Sequence, residues 1–362
     1  MKKLSVLMAS MLLSGAVLAE GVKVNGTITV PMQKPLGKCS DQRGCAMAAM
    51  APLKTIKLLK VEFSADKNAT LHKQLQHAMT AGNATPATFH TSTPRHKQLG
   101  MGNVPVLNQG AHGSCVTFAS TAAIDAALGM GDGISQLCQL QLGSFLEENG
   151  YMPSGWEGSF GPVVLHQMQA FGIVTKSQQM AHGCANYYQY PTYDEAPRLG
   201  MSLYEFHKIA EPLPEKISWS PVLHVEDAFE ADRNPDAILA KVKASIDKND
   251  RLTFGVLLIS HYLGTVGATG TVHKTNDTWV LSEEVVREFE RSGAAGGHEM
   301  VITGYDDSAV AVDAEGNSYK GLLTLRNSWG KDTGDNGNFY MSYDYFKMLT
   351  MEVQRIRTQN EG

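Results

Sequence analysis

Cys115 opens an alanine-rich run, Cys115 to Leu128, directly behind a Gly113-Ser114 step. Phe118, Ala122 and Ala126 recur in that run at helical spacing and Gly129 follows it, so it reads as a helix with the cysteine in its first turn. A helix N-terminus carries partial positive charge and unpaired N–H groups. Both favour thiolate over thiol, so the position predicts a lowered pKa for Cys115 and a nucleophilic sulfur. The glycine lets backbone come close to whatever the sulfur attacks. Gln109, six residues earlier, is an uncharged donor able to aim an amide N–H at a developing oxyanion.

Two further stretches supply partners. His298 follows Gly296-Gly297 and opens an apolar strand, and Asn327 sits in Leu325-Arg-Asn-Ser-Trp329-Gly330. An asparagine can hydrogen-bond one imidazole nitrogen and fix the tautomer, which frees the other nitrogen for a thiol. Nucleophile, base and orienter therefore occur in the order Cys, His, Asn. Glu299 next to His298 does not make a zinc motif, because no second histidine follows at the required spacing. No metal and no cofactor is expected.

These residues resemble the papain (C1) family of cysteine peptidases. Asn108-Gln109-Gly110, Gly113-Ser114-Cys115 and Phe118 match the family pattern around the nucleophile. Asn327 to Gly330 matches its Asn-Ser-Trp-Gly block, and Gly334 to Phe339 resembles the run that follows. The resemblance implies that Cys115 attacks the scissile carbonyl, His298 acts as base and then acid, and Asn327 orients it. Gln109 and the Cys115 backbone N–H would form the oxyanion hole, and Trp329 would shield the His–Asn bond. Gly155-Trp156-Glu157-Gly158 is similar to the family's backbone wall for extended substrates. The implied fold is α+β and two-lobed: a helical lobe with Cys115, a β-rich lobe with His298 and Asn327, and a cleft between.

The chain also departs from the pattern. His112 stands where the family has a cysteine, so the usual disulfide at that loop is absent, and Val116 replaces a tryptophan. Cys115 and His298 are 183 residues apart, against about 130–150 in the family. An insertion within Ala185 to Asp250 is implied, and a loop around Asp306 to Tyr319 lengthens the step from His298 to Asn327.

Residues 1–19 have a Lys2-Lys3 start, an apolar stretch from Leu4 to Leu18 and Val17-Leu18-Ala19 before Glu20, the pattern of a secretory signal peptide cleaved near Ala19. The run is too short and mixed for a membrane span. Residues 20–95 carry a net charge of +6 and residues 96–362 one of −13, so the two units should attract each other. Residues 20–95 are expected to be a small α/β pro-segment that inhibits a catalytic domain at 96–362. In it, Asn25-Gly26 between two β-rich runs signals a hairpin. Ile56 to Phe63 is β-rich, Ser64 caps a helix from about Ala65 to Met79 closed by Ala81-Gly82-Asn83, and Ala84 to Pro94 reads as a cleavable linker.

Five cysteines in an oxidising compartment leave one without an intramolecular partner. With Cys115 as the nucleophile, Cys39 pairs with Cys45 and Cys138 with Cys184. Helices are expected at Phe160–Phe171 and Pro235–Ile246, and strands at Leu252–Ile259, Glu299–Tyr305, Leu322–Arg326 and Asn338–Ser342. The acidic stretch Glu226 to Asp236 reads as a solvated face. The expected partners are peptide or protein substrates and the chain's own pro-segment. Nothing in the charge points to nucleic acid, and a monomer in the extracellular or periplasmic space is expected. The alternatives are an amide transferase or deamidase with the same triad, and a secreted binding protein that has lost turnover.

Overall fold

The computed structural model describes residues 16–32, 54–84, 95–259 and 266–359. Its front part holds strands β1 (Ala16–Ala19), β2 (Val22–Pro31) and β3 (Thr55–Phe63) and helix α1 (Ala65–Ala84). Cys39, Cys45 and residues 85–94 of the expected linker lie outside the described residues.

The hairpin expected at Asn25-Gly26 does not form. β2 runs through this point as one strand, antiparallel to β3 from Val22↔Phe63 to Pro31↔Thr55, with the register shifting between Val24 and Thr27. Gly26 adopts a φ of 70°. β3 pairs with both halves of the segment, so the left-handed glycine makes a bulge where an unpaired chain would reverse. Helix α1 likewise runs past Met79 to Ala84, beyond the expected stop at Ala81 to Asn83.

The helical lobe contains α2 (Cys115–Leu128), α3 (Gln136–Glu148), α4 (Gly161–Phe171), α5 (Lys176–His182) and α6 (Leu203–His207). Helix α2 is buried from Cys115 to Ala126 and ends at Gly129, whose φ is 69° and whose N–H reaches the Asp125 carbonyl. Its alanines allow close approach: Val116, Ala119 and Ala123 pack with Val301 and Ile356 of the sheet in one core cluster. Cys138 on α3 is disulfide-bonded to Cys184, as expected, with Cα atoms 5.1 Å apart. Around that bond pack Leu137, Leu140, Trp156 and Phe206.

The remaining elements are β4 (His96–Gln98), β5 (Ile217–Leu223), α7 (Pro235–Asp247), β6 (Arg251–Leu258), β7 (Thr278–Trp279), α8 (Glu283–Ser292), β8 (Ala294–Val312), β9 (Ser318–Arg326), β10 (Asn338–Ser342), α9 (Tyr343–Leu349) and β11 (Thr350–Thr358). The sheet runs β1-β2-β3-β8-β6-β11-β5, with β9 on β8 and β10 on β9. The segment Asp306 to Tyr319, expected as a loop, is mostly hairpin: β8 continues to Val312 and pairs Val310↔Lys320 with β9. The architecture is thus the expected α+β, with helices gathered before a largely antiparallel sheet. Among the described residues no helix is long and apolar enough to cross a membrane.

The front segment shares this sheet. β3 pairs with β8 from Leu59↔Gly297 to Glu62↔Ala294. Leu58, Val61, Leu71 and Leu75 belong to the same core cluster as Phe254, Phe289 and Met351. Asn68 Nδ2 donates to the Glu290 carbonyl at 3.2 Å and His72 Nε2 lies 3.3 Å from the Glu290 carboxylate, which ties α1 to α8.

Candidate active site

The sequence-chosen residues converge where α2 meets β8. Cys115 is the free cysteine among those described. The backbone N–H groups of Glu299 and Val116 face its sulfur and favour the thiolate. The first of these places the sulfur against β8, one residue beyond His298. His298 Nε2 lies 2.8 Å from Asn327 Oδ1. An amide oxygen only accepts, so Nε2 carries the proton and Nδ1 is the basic nitrogen. Nδ1 is buried and has no hydrogen-bond partner. Trp329 stacks on the imidazole at 4.6 Å with 29° between the rings, which covers the His–Asn bond.

Gln109 is fully buried and held at both ends of its amide. Nε2 donates to the His112 carbonyl at 2.8 Å, and Oε1 accepts from Ser328 Oγ at 2.7 Å. One Nε2 hydrogen stays free, with its direction fixed. Gly113 donates its N–H to the Trp156 carbonyl at 2.9 Å. A Cβ at Gly113 would lie 2.8 Å from that oxygen and 2.9 Å from the Gly158 nitrogen, so the close approach of the two loops requires glycine here. Ser114 caps α2 through its backbone position alone, and its hydroxyl is engaged elsewhere, with Tyr190 at 2.8 Å. Gly158, at φ 106°, holds its place in the loop opposite β8.

The electrostatics correct one expectation. Cys115 was expected to titrate low, but burial pushes its thiol up to about 12, outweighing the N–H groups aimed at it. Burial likewise pushes His298 down to about 4, against the opposing hydrogen bond from Asn327. The helix N-terminus is where the sequence placed it. The site is buried, however, and burial disfavours both members of a thiolate–imidazolium pair.

What keeps it buried includes the front segment. A Cβ on Gly158 would stand 2.5 Å from Leu59 Cδ2, and one on Gly296 would stand 2.4 Å from Leu58 Cδ1. Lys57 Nζ reaches both Glu157 oxygens at 2.7 and 2.9 Å. Lys54 Nζ donates to the Trp329 carbonyl and lies 3.7 Å from Asp332. β3 therefore touches the Gly158 wall on one side and the His298 and Trp329 elements on the other.

Several of these participants were missed from sequence. Glu157, Lys54 and Lys57 stand out only once β3 is paired. Tyr190 lies in Tyr187-Tyr188-Gln-Tyr190-Pro191, whose aromatic density was the one available signal. His112 does not approach the sulfur as a charged neighbour. Its ring packs on Trp156 and Tyr190, and burial lowers its pKa.

Residues 286–358, which carry His298, Asn327 and Trp329, match the family described as Peptidase C1-like family. The resemblance to papain-like cysteine peptidases read from the motifs is borne out over that stretch. No curated protein matches the sequence. Among solved structures, the chain is similar to xylellain, a cysteine protease from Xylella fastidiosa, at 17% identity and a TM-score of 0.46, over 74% of this chain and 88% of that one. It is also similar to the proform of the ragweed pollen allergen Amb a 11, a cysteine protease, at 16% identity and 0.44, over 76% and 69%. A third likeness is to the digestive procathepsin L 3 of the Tenebrio molitor larval midgut, at 13% identity and 0.41, over 81% and 91%.

Proposed function

We propose that the protein is an exported cysteine peptidase that hydrolyses peptide bonds through Cys115, His298 and Asn327 and is made with an inhibitory front segment, residues 20–95. One observation carries the reading. His298 holds its Nε2 proton on Asn327 at 2.8 Å beneath Trp329 and leaves Nδ1 unpaired, and the backbone N–H of the next residue, Glu299, faces the Cys115 sulfur. In the open site Nδ1 takes the Cys115 proton, and the sulfur adds to the scissile carbonyl. The resulting oxyanion is met by the free Gln109 N–H and the Cys115 backbone N–H. The imidazolium returns the proton to the leaving amine as the C–N bond breaks, leaving a thioester. Water, deprotonated by His298, releases the acid and regenerates the thiol.

The front segment supports the zymogen part of the reading. β3 occupies the ground between Gly158 and Gly297, its Lys57 meets Glu157, and Lys54 just before it meets Asp332. Cleavage between about residues 81 and 102 and export with loss of residues 1–19 complete the scheme. The test is Cys115→Ala in the full chain, with hydrolysis of a fluorogenic peptide and thermal unfolding both followed. Hydrolysis should vanish with the fold intact, and full activity in that variant would end the proposal. Adding an amine acceptor and searching for adducts by mass separates hydrolysis from amide transfer.

A further inference from the structure

The loop from Gln109 to Ser114 delivers both oxyanion donors, yet it lacks the disulfide that the resemblance associates with position 112. Residues Tyr190 to Thr192 hold it instead, at every turn. The Tyr190 hydroxyl donates to the Gln109 carbonyl at 2.8 Å. Having spent its one proton there, it accepts from Ser114 Oγ, also at 2.8 Å. The next residue, Pro191, accepts the His112 Nε2–H on its carbonyl at 2.7 Å. The carbonyl of Thr192 lies where a side chain on Gly110 would begin: a Cβ there would be 2.1 Å from that oxygen, and Gly110 has a φ of 63°.

The Tyr190 ring is fixed in turn. It packs edge-on against Phe118 at 5.0 Å and against His112 at 5.8 Å, and lies tilted on Trp156 at 5.5 Å. Phe118 belongs to α2, and Trp156 to the loop that receives the Gly113 N–H. The tyrosine thus sits at the junction of nucleophile helix, oxyanion loop and substrate wall, with its oxygen bridging the residue before Cys115 and the backbone of the oxyanion glutamine. A half-buried hydroxyl bonded on both sides is a rigid strut, because leaving either partner unpaired is costly.

We infer that Tyr190 is a positioning residue for the oxyanion hole, replacing a covalent tie by a hydrogen-bonded aromatic brace. The inference rests on the cysteine-peptidase reading above. Tyr190 itself touches no reacting atom. It fixes the height of the Gln109 backbone, and so the aim of the Gln109 amide, relative to the Cys115 N–H.

Two probes, applied to the full chain after limited proteolysis has released its front segment, separate this role from mere packing. A peptide aldehyde adds the Cys115 sulfur to its carbonyl carbon and places the new oxygen in the oxyanion hole, whereas iodoacetamide reacts with the sulfur and needs no hole. Tyr190→Phe keeps the ring and deletes the strut. It should weaken aldehyde binding about 10-fold and lower kcat for a peptide similarly, with KM and the iodoacetamide rate unchanged. In a Gln109→Ala background the same change should do nothing further. Unchanged aldehyde affinity in Tyr190→Phe, or effects that multiply with Gln109→Ala, would overturn the inference while leaving the peptidase reading standing. A parent chain that hydrolyses no peptide and takes no aldehyde even after its front segment has been cut away by limited proteolysis would overturn that reading, and this inference with it.

Discussion

Leu59 stands opposite Gly297 in the β3–β8 ladder while its side chain fills the space beside Gly158, so a single residue of the front segment touches both walls that flank the nucleophile. Its neighbour Lys57 pairs with Glu157 on the far wall. The basic front and acidic body therefore meet at the site itself.

Reversing that charge should loosen the cover. Lys57→Glu puts like charges together at Glu157, and hydrolysis of a small fluorogenic peptide by the full chain should rise about three- to fivefold at low salt. The gain should shrink as ionic strength shortens the screening length. A rate equal to the parent's at every salt concentration would remove β3 from the inhibitory role.

The covered thiol should be sluggish. With Cys115 pushed up to about 12 by burial, its thiolate fraction at pH 7 is about a thousandfold below that of an ordinary cysteine. Iodoacetamide should label the parent chain slowly, with a rate that climbs tenfold per pH unit to the alkaline limit. Lys57→Glu should add a faster neutral component as water returns. Rapid labelling of the parent at pH 6 would contradict a closed, neutral pair.

Much of this was legible in the sequence, and the reasons differ by element. α2 announced itself because Phe118, Ala122 and Ala126 share a face and Gly129 ends it, features that are local in the chain. Cys138 and Cys184 could be paired once Cys115 was set aside. The Asn25-Gly26 hairpin failed because the same glycine conformation serves a turn or a bulge, and the choice was made by β3, some thirty residues on. The depressed thiol pKa failed for a similar reason: helix position is local, but burial is imposed by the rest of the fold. β5, β11 and the bracing Tyr190 were missed because their partners lie far away in sequence.

Removing the orienting amide should cost turnover more than binding. Asn327 Oδ1 accepts from His298 and also from the Ser328 N–H at 2.8 Å. Asn327→Ala should lower kcat about 100-fold with KM within about twofold. A variant with near-parental kcat would show that Trp329 stacking alone sets the imidazole.

Beneath the site Glu299 and Glu352 form a buried carboxyl pair. Burial raises both, Glu299 further through the charge of Glu352, and Glu352 reaches about 7. A folded-state pKa above the unfolded one gives stability that is present at low pH and is lost as pH rises from about 4.5 through about 7. His298, depressed to about 4, slopes the opposite way, losing stability as pH falls from about 6.5. Glu352→Gln leaves the histidine contribution in place, so the difference between the two thermal-midpoint curves isolates the carboxyl. The midpoint of the parent should fall by a few degrees relative to the variant across pH 5 to 8. Parallel curves would mean the pair does not titrate in this window.

The ladder from Leu59↔Gly297 to Glu62↔Ala294 also bears on solubility. On the proposed scheme, removal of the front segment would leave the backbone of residues 294–297 as an uncapped sheet border next to an apolar floor, a surface that recruits any extended chain, including another copy of the protein. The same border that would make a place for substrate would make a processed chain liable to associate with itself. Glycines at 296 and 297, which offer little side chain to a neighbour, limit that liability without closing the border. Light scattering of the processed protein should therefore rise with concentration and fall again when a peptide that fills the border is added.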